Sequence, residues 1–334
     1  VKKVIVTGGL GYIGSHTIVK LVEAGYEPVI IDNLSNSKLS SYSKVCEIIK
    51  SHPPIYKLDL STESGIADLE EIFKENAGDI HSVIHFAGFK SVKESILSPD
   101  KYYKNNLFST INLLNVMKKF GIEKIVFSSS ATVYGDSDSF PVSEESPRKE
   151  PTNPYGRTKY ICEDIIKSYC DFGNLSPVVL RYFNPIGAHP SGKIFEDPNG
   201  TPENLVPYIK GVLDGKYSEL VVFGSDYDTK DGTCIRDYID VNDLAQAHIN
   251  ALDACELNKY KVYNIGSGNG YSVLDLIRAF EDQGVKIKYK IGDRRPGDVA
   301  EVYADIEKAK IELEWKPTTS LSDSIKSIIR INNS

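Results

Sequence analysis

The chain has little cysteine and no cysteine pattern. Its five cysteines, Cys46, Cys162, Cys170, Cys234 and Cys255, are odd in number and form no C-x-x-C. That argues against a disulfide framework or a metal site and fits a reducing cytosol. The six histidines show no ligand spacing, so no metal is predicted. Positive charge is not in excess. The formal net charge of −7 argues against nucleic acid as a partner. No apolar run reaches the length of a membrane span, so no membrane partner is predicted. The chain enters a strand at once, which predicts no signal peptide and a cytoplasmic location. Repeats and low-complexity tracts are missing too. What is there is ordinary globular composition, 41% hydrophobic and 25% charged over 334 residues. That length can bury a large core in one or two domains.

The first informative stretch is Val4-Ile5-Val6-Thr7-Gly8-Gly9-Leu10-Gly11-Tyr12-Ile13-Gly14. An apolar run meets glycines at Gly8, Gly11 and Gly14, and a helical pattern follows. Gly8 can take turn dihedrals, Gly11 lets a pyrophosphate approach the backbone, and Gly14 lets the helix sit close to the strand. The phosphates would meet free N–H groups at the helix N-terminus. A second strand, Pro28-Val29-Ile30-Ile31-Asp32, ends in an acid placed to accept both adenosine-ribose hydroxyls. Asp32 would repel a 2′-phosphate, so NAD is the predicted cofactor. The alternative is an ordinary βαβ unit with a surface Asp32.

Strands and helices alternate onward. Helices are predicted at 44–50, 64–76, 99–120 and 153–172, and strands at 55–58, 82–86, 123–128 and 178–181. This pattern predicts an α/β fold, a doubly wound parallel sheet of Rossmann type with helices on both faces. After Asn184 the texture changes. Residues 185–201 read as a long Gly- and Pro-rich loop. A helix at 205–213, a strand at 220–223, a helix at 241–255 and a buried strand at 261–265 follow. The predicted division is a dinucleotide-binding domain over 1–184, with a returning segment near 240–270, and a smaller substrate-binding domain mainly over 185–334. The ligand cleft would lie between them.

The strand at 123–128 runs into Ser128-Ser129-Ser130-Ala131-Thr132, and strand ends in such sheets face the ligand crevice. Downstream, a helix starting near Pro154 places Tyr155 and Lys159 one turn apart on one face. With 20 tyrosines, about two Tyr-x-x-x-Lys pairs are expected by chance, so the spacing gains weight only from its context. A free Tyr, with pKa about 10, is a poor base. A Lys ammonium about 4 Å away at an effective dielectric near 20 is worth on the order of 4 kcal/mol, enough to bring the phenol near 7. Ser130 could bond the reacting hydroxyl and relay its proton. The alternative leaves Tyr155 an unpaired surface residue.

These stretches, with His85-Phe86-Ala87-Gly88 and Arg181-Tyr182-Phe183-Asn184-Pro185-x-Gly187, resemble the extended short-chain dehydrogenase/reductase family. Along nearly the whole chain the resemblance is to its UDP-hexose 4-epimerase branch. Asp32-Asn33-Leu34-x-Asn36-Ser37, the run from Phe183 to Gly192, and Asp231-Gly232-Thr233-x-x-Arg236-Asp237-Tyr238 are its most specific parts.

The resemblance implies reversible interconversion of UDP-galactose and UDP-glucose through a 4-keto sugar, with bound NAD and hydride return to the other face. It implies cofactor contacts from Tyr12, Ile13, Asp32, Asn33, Ser37, Asp59, Leu60, Phe86, Ala87, Lys90, Asn105, Ser128, Lys159 and Tyr182. It implies substrate contacts from Lys90, Ser130, Tyr155, Asn184, Asn204, Leu205, Phe223, Arg236, Tyr238, Arg295 and Asp298. Arg236 and Arg295 would pair with the diphosphate, a task suited to the guanidinium fork. On its own, Arg294-Arg295-Pro296-Gly297-Asp298 reads as a solvated charged loop. A homodimer through helices 99–120 and 153–172 is implied as well.

One departure is informative. Some family members restricted to non-acetylated sugars carry a Tyr where this chain has Val302, just before Tyr303. The missing phenol predicts room for a 2-acetamido group, and so use of N-acetylated UDP-sugars. A register slip of one residue would put Tyr303 there instead. Among rivals, a 4,6-dehydratase resembles Thr-Asp-Glu where this chain reads Ser130-Ala131-Thr132. A pentose or uronate 4-epimerase would keep the same machinery. A non-catalytic dinucleotide-binding protein commonly loses the Tyr or Lys that is present here.

Overall fold

The computed structural model of the chain describes residues 2–295 and 297–331. Seven strands form one parallel sheet in the order Lys261–Ile265, Ser176–Tyr182, Lys124–Ser130, Ile80–His85, Lys3–Thr7, Glu27–Asp32, Ile55–Lys57. Each strand end is set by its neighbour's register, with Val6 opposite Ile30 and Ile84. The strand order reverses between Lys3–Thr7 and Ile80–His85. That switch point opens a crevice at the C-terminal strand ends, where ligands of such sheets bind.

Both sheet faces are buried, which is why the strands read as unbroken apolar runs. Val4, Val6, Ile30 and Ile84 pack with Ile18, Leu21 and Leu244 from helices Tyr12–Glu23 and Val241–Ala254. Ile5, Val29, Ile31, Ile125 and Phe127 point the other way. They meet Leu69, Leu113 and Ile166 from helices Glu63–Glu75, Pro99–Phe120 and Pro154–Phe172. A separate core of Ile186, Val206, Ile209, Leu220, Val222, Leu276, Phe280 and Ile325 is built from residues after Asn184.

The long elements match their expected positions, while two expectations need correction. The helix expected at 44–50 runs Leu39–Ile49. Its first turn, Leu39-Ser40-Ser41-Tyr42, lacks the apolar period that marked the rest. The loop expected from 185 begins inside a strand, Asn184–Ile186, which pairs with Tyr238–Asp240. A three-residue strand has too few positions to show a period, and Pro185 argued against one. The short strands Ile235–Arg236, Tyr271–Ser272 and Glu301–Val302 form another small sheet. Asp237 fastens that region, its carboxylate accepting from the N–H groups of Ser267, Gly268 and Ala304 at 2.6, 3.0 and 3.2 Å.

Candidate active site

One cavity of about 1080 Å³ runs from the glycine turn at Gly8 past Tyr155 to Val302. Every residue predicted above as catalytic or ligand-binding lines it. It reaches the upper end of ordinary ligand pockets, on the order of 1,000 Å³, and its length suits two ligands end to end.

At one end, helix Tyr12–Glu23 starts at Gly11 with no side chain capping it and no acid in its first turn. Its N–H groups are therefore available to an anion. A Cβ on Gly14 would stand 2.5 Å from the Gly8 carbonyl oxygen, so only glycine permits this turn. Asp32 is buried, accepting from Leu10 N–H at 2.9 Å, Leu34 N–H at 2.9 Å and Ser37 Oγ at 2.7 Å. A carboxylate has about four acceptor positions, so one remains for a ribose hydroxyl. Asp59 accepts from Ser61 and from Asn33 Nδ2 at 3.2 Å. A dinucleotide fits this end: bare helix N-terminus, open glycines, and carboxylates already held in place.

In the middle, Asn153 caps helix Pro154–Phe172 by accepting from Gly156 N–H at 2.8 Å, with Pro154 in the first turn. Tyr155 and Lys159 then fall on the cavity side. Gly156 brings the helix against the serine turn, because a Cβ there would stand 2.9 Å from Pro151 and 3.1 Å from Thr132. The Ser130 Oγ accepts from Thr132 N–H at 3.3 Å, leaving its own proton to donate.

The electrostatics correct the sequence reading at one point. Lys159 Nζ does not neutralise Tyr155. It donates to the Ser128 carbonyl at 2.5 Å and lies 4.9 Å from the Phe127 ring centre. Burial pulls its pKa down to about 8, with Cys162 and Glu163 opposing. Burial raises the Tyr155 phenol above its ordinary value, while a hydrogen bond from Ser130 and the charge of Lys90 pull it back in part. The ammonium whose charge acts on the phenol is thus Lys90, which lines the same cavity and which local helix spacing could not reveal. Tyr182 is likewise raised by burial, opposed by Ser128, and its hydroxyl meets His248 Nε2.

At the far end, Arg295 forks onto Asp298 at 3.0 and 2.7 Å, and Arg236 stands 3.7 Å from the same carboxylate. The two guanidinium groups do converge, but around Asp298, so a diphosphate would share or replace that partner. The Arg295 guanidinium carbon lies 5.9 Å from the half-exposed Phe223 ring. Pro296 of this segment lies outside the described residues. Val302 is in the cavity wall, opposite Arg236 in the small sheet. Tyr303 stacks on Phe140 instead, ring centres 6.0 Å apart, so the register puts the valine and not the tyrosine beside the ligand space.

Sequence reading missed several residues here. Asn106 is a buried organiser: it accepts from Phe89 N–H at 2.8 Å and donates to Phe89 O at 3.1 Å and Thr158 Oγ1 at 3.0 Å. Asn105 donates to Asn106 at 2.9 Å and lines the cavity. A polar residue on the inward face of a long helix was the available signal. Glu196 was missed as well. It binds Lys90 Nζ at 2.8 Å and Asn204 Nδ2 at 3.0 Å. Nothing local marks a pair 106 residues apart.

Among the described residues, no group of three or more His, Cys, Asp or Glu is placed to hold a metal, and no helix is long and apolar enough to cross a membrane. The five cysteines are buried and unpaired.

Comparison with known proteins extends this picture. A UDP-glucose 4-epimerase of Bacillus subtilis is 50% identical over 324 residues, 96% of this chain and 94% of its own length. The crystal structure of UDP-glucose 4-epimerase from Bifidobacterium longum in complex with NAD+ and UDP is 45% identical and superimposes with a TM-score of 0.94, covering 99% of this chain and 98% of its own. A UDP-glucose 4-epimerase from Stenotrophomonas maltophila, with bound NAD and formylated UDP-arabinopyranose, is 41% identical with a TM-score of 0.94, covering 100% of this chain and 98% of its own. The family model described as "NAD dependent epimerase/dehydratase family" matches residues 4–266. With the glycine turn, the buried Asp32 and the Tyr155–Lys159 helix around one cavity, the chain belongs to the NAD-dependent epimerase/dehydratase family.

Proposed function

We propose that the chain interconverts UDP-galactose and UDP-glucose by oxidising the sugar at C4 and reducing it again on the opposite face. One observation carries this reading: the base candidate Tyr155, with Ser130 bonded to it, stands between a dinucleotide-shaped turn and a pair of arginines in one continuous cavity. NAD, when bound, supplies the hydride acceptor and then the hydride donor. Tyr155 takes the proton of the sugar 4-hydroxyl through Ser130 and gives it back after the keto group has turned over. The ammonium of Lys159 braces the site at the Ser128 carbonyl and holds the nicotinamide ribose. Arg236, Arg295, Phe223, Tyr238, Leu205 and Asp298 grip the UDP, while Lys90, Asn184 and Asn204 make exchangeable contacts to the sugar. A firm nucleotide grip beside a loose sugar pocket is what turning the keto sugar requires.

In this reading the part after Asn184 is the UDP-sugar-binding domain, with its own core. Helices Pro99–Phe120 and Pro154–Phe172 pair with a second copy. Phe108, half exposed on the first, and Phe172, 91% exposed at the end of the second, support that face as the contact. The five unpaired cysteines fit a cytoplasmic setting. The first test is to incubate the purified protein with UDP-galactose and no added NAD, then resolve the products. UDP-glucose is expected, because the cofactor is regenerated every cycle and need not leave. No conversion even with NAD supplied would overturn the reading.

Val302 leaves the wall beside the sugar without a phenol, which supports turnover of UDP-N-acetylgalactosamine and UDP-N-acetylglucosamine too. Val302→Tyr is expected to reduce the acetamido reaction at least tenfold relative to the UDP-galactose reaction, a modest steric penalty of about 1.4 kcal/mol or more. Equal loss on both substrates, read as kcat/KM, would refute the specificity role.

A further inference from the structure

Glu196 is a carboxylate inside the cavity to which the reading above gives no task. It belongs to the strap over residues 193–204, and its side chain is only 10% exposed. One of its oxygens takes Lys90 Nζ at 2.8 Å and Asn204 Nδ2 at 3.0 Å. Three separate parts of the chain therefore meet on this atom: the loop after strand Ile80–His85, the strap, and the start of helix Leu205–Leu213. The strap has other fastenings. Lys38 bonds Asp197 at 2.5 Å, and Ser91 Oγ donates to Glu203 at 2.6 Å. Both of those are exposed, and neither bonds Lys90. Among the described residues Glu196 is the strap carboxylate that bonds Lys90, whose charge acts on Tyr155 in the same cavity.

We infer that Glu196 is a positioning residue for proton transfer at Tyr155, acting through Lys90: it fixes where that ammonium stands and offsets the charge the phenol meets. The inference rests on the reading of Tyr155 as the base. The groups facing Tyr155 are few. Lys159 comes from its own helix and is turned to Ser128; Ser130 comes from the serine strand, Tyr182 from the next strand, and Lys90 from the loop. Glu196 and Glu203 act on Lys90 from the strap. The Lys90 side chain is 45% exposed; what desolvation it meets is outweighed by Glu196, Tyr155 and Glu203 together, so Lys90 stays charged. Removing the negative charge of Glu196 leaves Lys90 compensated only by water and the more distant Glu203. The phenolate is then favoured, and the acid limb of the pH–rate profile moves to lower pH. For a charge one side chain removed from the phenol, in partly wet surroundings, the shift is about half a pH unit.

The test is the pH dependence of kcat/KM for UDP-galactose in the wild type, Glu196→Gln, Glu196→Asp and Asp197→Asn. Glu196→Gln is expected to move the acid limb down by about half a unit, and Glu196→Asp to restore it. Asp197→Asn, which loosens the strap but leaves Lys90 paired, is expected to follow the wild type. On a Lys90→Met background, Glu196→Gln is expected to add no shift. A superimposable Glu196→Gln profile, a shift upward, or an equal shift from Asp197→Asn would overturn the inference while leaving the base assignment standing. A wild type with no turnover of UDP-galactose would overturn both.

Discussion

Tyr155→Phe is expected to lower kcat by about three orders of magnitude while KM and the melting temperature stay close to the wild type. General acid–base groups contribute typically about 10²–10⁴ in rate, and the substitution deletes one oxygen while keeping the ring. In the proposed reading the UDP grip lies elsewhere, at Arg236, Arg295 and Phe223, so ground-state binding is expected to be retained. Folding loses at most the hydrogen bond from Ser130, worth about 1 kcal/mol, and gains relief from burying a hydroxyl. The measurement is steady-state epimerisation of UDP-galactose beside a thermal melt. A fall of less than about tenfold would move the base to another group, and Lys159, already down at about 8, is the one buried beside it. A rise in KM with kcat unchanged would instead say that the phenol binds substrate and transition state alike.

Glu163→Ala is expected to have the largest effect on stability, about 3–5 kcal/mol, because it strands a buried cation. Glu163 is fully buried on helix Pro154–Phe172, one turn beyond Lys159. It receives Arg181 at 2.7 and 3.0 Å, Arg148 at 3.3 Å and Ser129 Oγ at 2.5 Å. Arg181 is 4% exposed, and it also donates to Tyr134 at 2.9 Å. Burial works against the guanidinium, but the carboxylate more than compensates and raises its pKa overall. Without the carboxylate that compensation is gone and water cannot easily replace it. Denaturant unfolding followed by circular dichroism measures the loss, and Glu163→Gln, which keeps the shape and an acceptor, should fall between. A loss below about 1 kcal/mol would show that Arg181 finds another partner, as exposed ion pairs allow but buried ones do not. The same network ties Ser129, next to Ser128 and Ser130, to the helix of Tyr155 and Lys159. Destabilisation should therefore appear as reduced turnover below the melting transition too.

Much of the molecule was readable as sequence. Local physics determined the glycine turn, because a Cβ at Gly14 would strike the Gly8 carbonyl wherever the chain folds around it. It determined the parallel sheet, since strands buried on both faces must be apolar throughout. It determined helices such as Pro99–Phe120 through their apolar spacing, and the structure shows the ends of that one set by a proline in its first turn and a left-handed glycine just after it. The spacing of Tyr155 and Lys159 followed from the helical repeat alone.

Tertiary structure decided what those side chains meet. It turned Lys159 towards Ser128, set the charge of Lys90 to act on the phenol, bonded Asn106 to the Phe89 backbone, and set Asp298 between two arginines. It also made strands of two or three residues, such as Ile235–Arg236, too short for any period and defined only by distant backbone partners. The reason is common to all of these. Secondary structure answers to neighbours within a few residues, whereas the charge beside a site residue comes from distant chain, as Glu196 stands 106 residues from Lys90.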